Sequence, residues 1–197
     1  EETTNVELFN QETQAHVWIP SGSQPGREWV KSDFDHTEWF PGPIGVGYET
    51  TGTLFTPWIN IDVEVMRNLT PSIYIRIPYT IASSKLTELK SLSLNMNYND
   101  GFVAFLNGER VAEANAPLGI RWNSSAKGVR SKSETTQVVS FNLDDHLDSL
   151  KTGENVLAIQ GLNASTASPE LLIRPQLTGE FVSSVAASNE DHGIRYA

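Results

Sequence analysis

At 197 residues the chain has the size of one large β domain rather than two small ones. Its 24 Asp and Glu against 14 Lys and Arg leave a net charge of -10, the wrong sign for a partner whose phosphates must be neutralised, so nucleic acid is excluded. With no cysteine there are no disulfides, thiolate metal sites or cysteine nucleophiles, and no apolar run is long enough to insert into a membrane as a helix.

The chain opens on Glu-Glu-Thr-Thr without a signal peptide, which reads as a module excised from a larger protein, with residues 1–14 as a linker or first strand. Ala15 to Pro20 alternates as a strand and passes into the loop Ser21-Gly-Ser-Gln-Pro-Gly26. Trp29, Phe34 and Trp39 mark an apolar corner, expected as a plug closing the core. Pro41 to Tyr48 holds three glycines and two prolines, too much punctuation for regular structure, and is expected as an ordered loop. Gly42, Gly45 and Gly47 do not make a phosphate cradle, because no Lys-Ser/Thr follows and no helix opens after them. Residues 60–68 fit a helical turn or a strand equally well.

Ser72 to Ile81 is the clearest strand, with Ile73, Ile75, Ile77, Tyr79 and Ile81 on one face and Tyr74, Arg76 and Thr80 on the other. Leu92, Leu94, Met96 and Tyr98 repeat the period of two, so one face is expected to bury and the other to meet water. They lead into Phe102 to Leu106, entered through Asp100-Gly101 and left through Asn107-Gly108, residues that accept the positive φ of primed hairpin turns. Glu109 onward then runs back as the partner strand. Gln137 to Leu143 is a further strand. The acidic start of Asp144-Asp-His-Leu-Asp-Ser-Leu-Lys151 complements a helix dipole, so one or two helical turns are expected. Asn155 to Leu162 is almost continuously apolar, as a central strand covered on both faces would be, and Leu171–Ile173 and Gln176–Val182 close the set. Eight or more short strands with few helices define an all-β fold, a two-sheet antiparallel β-sandwich of the jelly-roll kind.

Taken in order, Trp29, Phe34-Asp35, Trp39, Gly42 to Tyr48, Ser72 to Pro78, Asn99 to Gly108, Trp122-Asn-Ser124 and Gly153 to Asn163 resemble galactose-binding-domain-like jelly-roll modules. Such modules occur in large secreted bacterial multidomain proteins and in some carbohydrate-active enzymes. The resemblance covers residues 15–182 and leaves 183–197 as a C-terminal linker. It implies an extracellular, bacterial accessory domain that is not an enzyme. It also implies a carbohydrate-binding role, with polysaccharide and the other domains of the same polypeptide as partners. The alternative role within the same fold is a structural or adhesive spacer with no glycan site.

Glycan sites pair an aromatic platform with groups that bond hydroxyls. Arg121, Trp122 and Asn123 supply an aromatic, a guanidinium and an amide in three consecutive residues of a long polar segment. Trp58 and Tyr98 are further candidate platforms, and each has the alternative of simple packing. Asp33, Asp35 and Glu38 are candidate ligands of a structural calcium ion, the one cofactor the resemblance brings with it; no organic cofactor is expected. For Asp35 and Asp100 turn chemistry, accepting backbone amide hydrogen bonds, is the favoured reading. His16, His36, His146 and His192 are scattered without ligand spacing, and no nucleophile–base pair or carboxylate pair stands out.

Overall fold

The computed structural model describes residues 2–183; the expected linker beyond Ser183 and His192 lie outside the described residues. Twelve strands follow one another along the chain. They are β1 (Glu2–Phe9), β2 (Gln14–Trp18), β3 (Phe40–Pro43), β4 (Val46–Glu49), β5 (Ile61–Asp62) and β6 (Ser72–Ile81), then β7 (Leu89–Asn99), β8 (Gly101–Leu106), β9 (Glu109–Ala114), β10 (Val139–Asn142), β11 (Gly153–Leu162) and β12 (Glu170–Ser183). They form two six-stranded sheets. The first has the order β10-β7-β12-β4-β5 with β1 also on β12, and the second has the order β3-β2-β6-β11-β8-β9. All pairings are antiparallel except β4 with β5, so the all-β sandwich read from the sequence is the observed architecture.

The inward faces meet in one apolar core, to which β6 gives Ile73, Ile75 and Ile77 and β7 gives Leu92, Leu94 and Met96, as their period of two requires. The outward face of the second sheet is covered as well: Tyr74, Arg76, Ala158 and Gln160 are all buried. Trp29 and Trp39 lie there with Tyr74 and Ala158 in a second apolar cluster. The aromatic corner is therefore buried as expected, but it roofs a sheet rather than closing an end of the sandwich.

Other differences have local causes. Pro41 to Tyr48 contributes β3 and β4 instead of an irregular loop; β3 pairs only with β2 and is an edge strand, where prolines are tolerated. Residues 60–68 divide into β5 and a 3-10 turn at Glu64–Met66. The polar face of β7 does not wholly meet water, because Asn97 and Asn99 are buried and donate to Thr135 and Arg130 carbonyls, under a short helix α2. That helix (Lys132–Thr135), a second short one, α1 (Ser83–Glu88), and four 3-10 turns exceed the one or two helical turns expected, each being too short to leave a periodic signal.

The two terminal strands expected at 171–173 and 176–182 are one, β12, interrupted in pattern by Pro175. β4 pairs with Glu170 to Ile173 and β1 with Leu177 to Ser183, so Pro175 lies where that flank of β12 changes partner. Its carbonyl accepts from the Gln11 side chain at 3.1 Å rather than from a strand. A missing N–H costs nothing at such a gap.

Candidate functional site

A cleft of about 810 Å³ opens on the outward face of the second sheet. Tyr74 of β6, Gln160 of β11 and Phe105 of β8 form its floor, and Arg110 of β9 stands at one side. Register explains the grouping: Gln160 lies opposite Tyr74, and Ala158 opposite both Arg76 and Phe105, so outward side chains of adjacent strands line up across the sheet.

One wall is the segment from Gly26 to Lys31. Trp29 stacks on Tyr74 with ring centroids 4.2 Å apart and planes 11° apart, and meets Phe105 edge-on at 6.1 Å. The wall is held from beneath by Arg76. Its guanidinium, 1 % exposed, donates to the Trp29 carbonyl, to the Lys31 carbonyl at 2.8 Å and to the Phe34 carbonyl at 3.2 Å. Its Nε donates to His36 Nδ1 at 3.2 Å. A buried charge with its donors on carbonyls fixes the course of a loop that has no strand partner. Burial draws the Arg76 pKa down to about 10, which leaves it charged at neutral pH.

The opposite wall is the loop that carries Leu118 to Trp122. Arg121 and Ser124 close a turn: Arg121 N donates to Ser124 Oγ at 2.8 Å, and Ser124 N donates to the Arg121 carbonyl at 3.1 Å. Two sheet residues tie that turn down. Ser72 Oγ donates to the Ser124 carbonyl at 2.7 Å, and Gln160 Nε2 donates to the Arg121 carbonyl at 2.7 Å. The serine of Trp122-Asn-Ser124 is thus a turn-former. Trp122 is half-buried against the Trp29–Trp39 cluster and shows part of its surface to the cleft. Leu118, 94 % exposed, stands on the rim.

Of the candidate ligand residues, Arg121 and Trp122 line the cleft, while Asn123 is exposed at the turn outside its lining. Trp58 and Tyr98 are elsewhere, on the side of the first sheet. Trp58 is half-buried in a 3-10 turn with the Arg174 guanidinium 5.3 Å from its ring centre. Tyr98 is 6 % exposed, packed edge-on against Phe102 with Arg130 4.3 Å above its ring, so no ring face is open for a sugar. The loop aromatics do not converge on one platform.

Asp33, Asp35 and Glu38 are exposed, and Asp35 Oδ1 accepts from Thr37 N at 2.9 Å, the turn role that its sequence context also allowed. That amide, the main cause, holds its carboxyl below the usual carboxylate range. Among the described residues no group of three His, Cys, Asp or Glu converges as a metal cluster, these three carboxylates included. Asp100 is likewise a structural acceptor: it is buried and takes amide hydrogen bonds from Arg130 and Ala164, each at 2.8 Å. Burial raises its carboxyl pKa against the pull of those two amides.

The sequence reading missed the floor and the facing wall. Tyr74 and Gln160 carry one faint signal, being a phenol and an amide at outward positions of otherwise apolar strands. Nothing in the sequence says that the 26–31 and 118–122 segments face each other.

No family model matches the chain, and no curated protein is matched by its sequence. Among solved structures, β-glucuronidase 2 of Bacteroides uniformis matches 90 % of this chain with 18 % of its own, at 15 % identity and a TM-score of 0.53. A β-glucuronidase from an uncultured Clostridium sp. matches 92 % of this chain with 29 % of its own, at 10 % identity and a TM-score of 0.52. A glycosyl hydrolase family 2 member from Bacteroides cellulosilyticus matches 89 % with 20 % of its own, at 8 % identity and 0.51. At such identities the likeness is one of fold. The chain spans between 18 % and 29 % of the length of these enzymes.

Proposed function

We propose that this chain is a non-catalytic carbohydrate-binding module of a secreted bacterial multidomain protein, and that it holds polysaccharide in the cleft between its 26–31 and 118–122 segments. The observation that carries the reading is the cleft itself, a concave surface with aromatic and hydrogen-bonding groups side by side on a rigid sheet. Two further points support it. The solved enzymes that this chain resembles in fold, a β-glucuronidase and a family 2 glycosyl hydrolase, match it with only a fifth or less of their own chains. Glycoside hydrolysis ordinarily needs two carboxyl groups across the scissile bond, and Glu28 is the one acid among the lining residues. Tethering to other domains supplies the effective concentration that lets a weak site matter.

The test is a polysaccharide retention assay on the whole chain, backed by a glycan array. Trp122→Ala is expected to abolish retention and leave the fold intact, Trp58→Ala to leave retention unchanged, and EDTA to have no effect. The burial of Trp29 and Trp39 favours the spacer reading to the extent that these aromatics serve packing alone. Absence of retention on every glycan, with and without calcium, would establish that reading instead.

A further inference from the structure

The cleft has the opposite charge balance to the molecule. Four of the chain's 14 Lys and Arg line it, namely Arg27, Lys31, Arg110 and Arg121, against one of its 24 Asp and Glu, Glu28. Two of these cations are matched locally: Lys31 Nζ lies 2.6 Å from Glu28, and Arg110 pairs with Glu113. Arg27 and Arg121 have no ion-pair partner among the described residues, and they stand one on each wall.

From this we infer that the cleft selects a negatively charged glycan, one whose sugars carry a uronate carboxylate or a sulfate ester, which Arg27 and Arg121 hold from opposite sides. The inference rests on the carbohydrate-binding reading and narrows it to a ligand class. Guanidinium groups suit it because they bind carboxylate and sulfate oxygens in a fixed fork, where a lysine offers only a point charge. Trp122 and Phe105 give the apolar contact that a sugar ring needs beside its charged group. Two unmatched cations on a strongly acidic surface suit a chain with one charge per sugar better than a densely charged nucleic acid, which the rest of the surface repels.

The test measures affinity of the whole chain for matched oligosaccharides: oligogalacturonate, its neutral galactose counterpart, and a sulfated galactan. Oligogalacturonate or the sulfated galactan should bind at least about tenfold tighter than the neutral sugar, and whichever leads identifies the charged group. Arg27→Gln and Arg121→Gln should each weaken the charged ligand about tenfold and leave weak neutral binding in place. Raising the ionic strength should weaken the charged ligand alone. Both side chains are exposed, so the variants fold, and the salt series tests the same point on the unaltered protein. Equal, salt-independent binding of charged and neutral sugars would overturn this inference and leave the carbohydrate-binding reading standing. Failure of both charged sugars while a neutral glycan of the array is retained would likewise overturn this inference alone; absence of binding to every glycan, or retention of a single-stranded DNA probe in their place, would overturn both.

Discussion

Arg76 is the residue on which the cleft depends, although it does not itself line the cleft. It is a buried cation whose partners are carbonyls of a loop, and any residue that cannot reach several of them leaves polar groups stranded. Replacement by Met should therefore cost about 3 kcal/mol of stability in urea unfolding, at roughly 1 kcal/mol for each of the three carbonyls. Lys should not rescue it, because one ammonium cannot span the fork. Beside this guanidinium two half-buried imidazoles create a pH dependence. His36 accepts from Arg76 through Nδ1, and the ring of His16 lies 4.2 Å from that of His36. Burial lowers both imidazole pKa values below 6.5. For His36 the Arg76 charge adds to this; for His16 the charges of His36 and Arg76 both add. The Phe34 carbonyl and, less, the Asp35 carboxylate oppose the shift of His36 without reversing it. Lowered native values mean that the unfolded chain takes up protons first. The stability is thus fully present above 6.5 and is lost as pH falls from there through the lowered native values. Melting temperature should drop on acidification from pH 7 in the native protein, and the part of that drop due to these rings should shrink in His36→Gln.

At the level of the element, legibility followed period and turn chemistry. β6 and β7 could be read from alternation, and the hairpin β8–β9 from Asn107-Gly108, whose φ values of 49° and 100° are those of a primed turn. Gly108→Ala puts a side chain at that φ. It is expected to lower stability by about 1 kcal/mol in thermal unfolding while the sheet is retained. β5 and α1 could not be read, because two strand residues or one and a half helical turns carry too little pattern. The helix α2 carries a signal of another kind: Ser131-Lys-Ser-Glu134 is a capping box, with Ser131 Oγ accepting from Glu134 N and Glu134 Oε2 accepting from Ser131 N at 3.0 Å. The candidate site divides along the same line. Arg121 and Trp122 were visible because a Trp in a polar loop lacks a packing reason, whereas Arg27, Tyr74 and Gln160 enter the site through a sheet order that only long-range pairing decides.

For the whole molecule, two sheets with covered inner faces still leave edges, and on one flank of β12 that edge is taken by β4 and β1. β1 is mostly exposed and polar along its length, with Glu2 and Glu7 on it, and it pairs with β12 from Leu177 to Ser183. An outermost strand that is charged and gives the core only its last residues, Leu8 and Phe9, does two jobs: it satisfies the amides and carbonyls of β12, and it presents a poor template to another chain. Residues 1–14 read from sequence as linker or first strand are thus, over Glu2–Phe9, part of the sandwich. Removing residues 1–9 would uncover the edge of a strand that also carries the core residues Leu177 and Phe181. The truncated chain should keep the cleft, which lies on the other sheet, but melt at lower temperature and associate as concentration rises, by size-exclusion chromatography with light scattering. If it stays monomeric and equally stable, β1 is a dispensable arm. If retention of glycan falls along with stability, the two sheets are coupled more tightly than their separate faces imply. Placing Lys at Leu177 in the truncated chain would not separate these outcomes, because Leu177 belongs to the core. Lys at Thr178, half-buried on the outward face, would restore a charged edge and should return the truncated chain to a monomer.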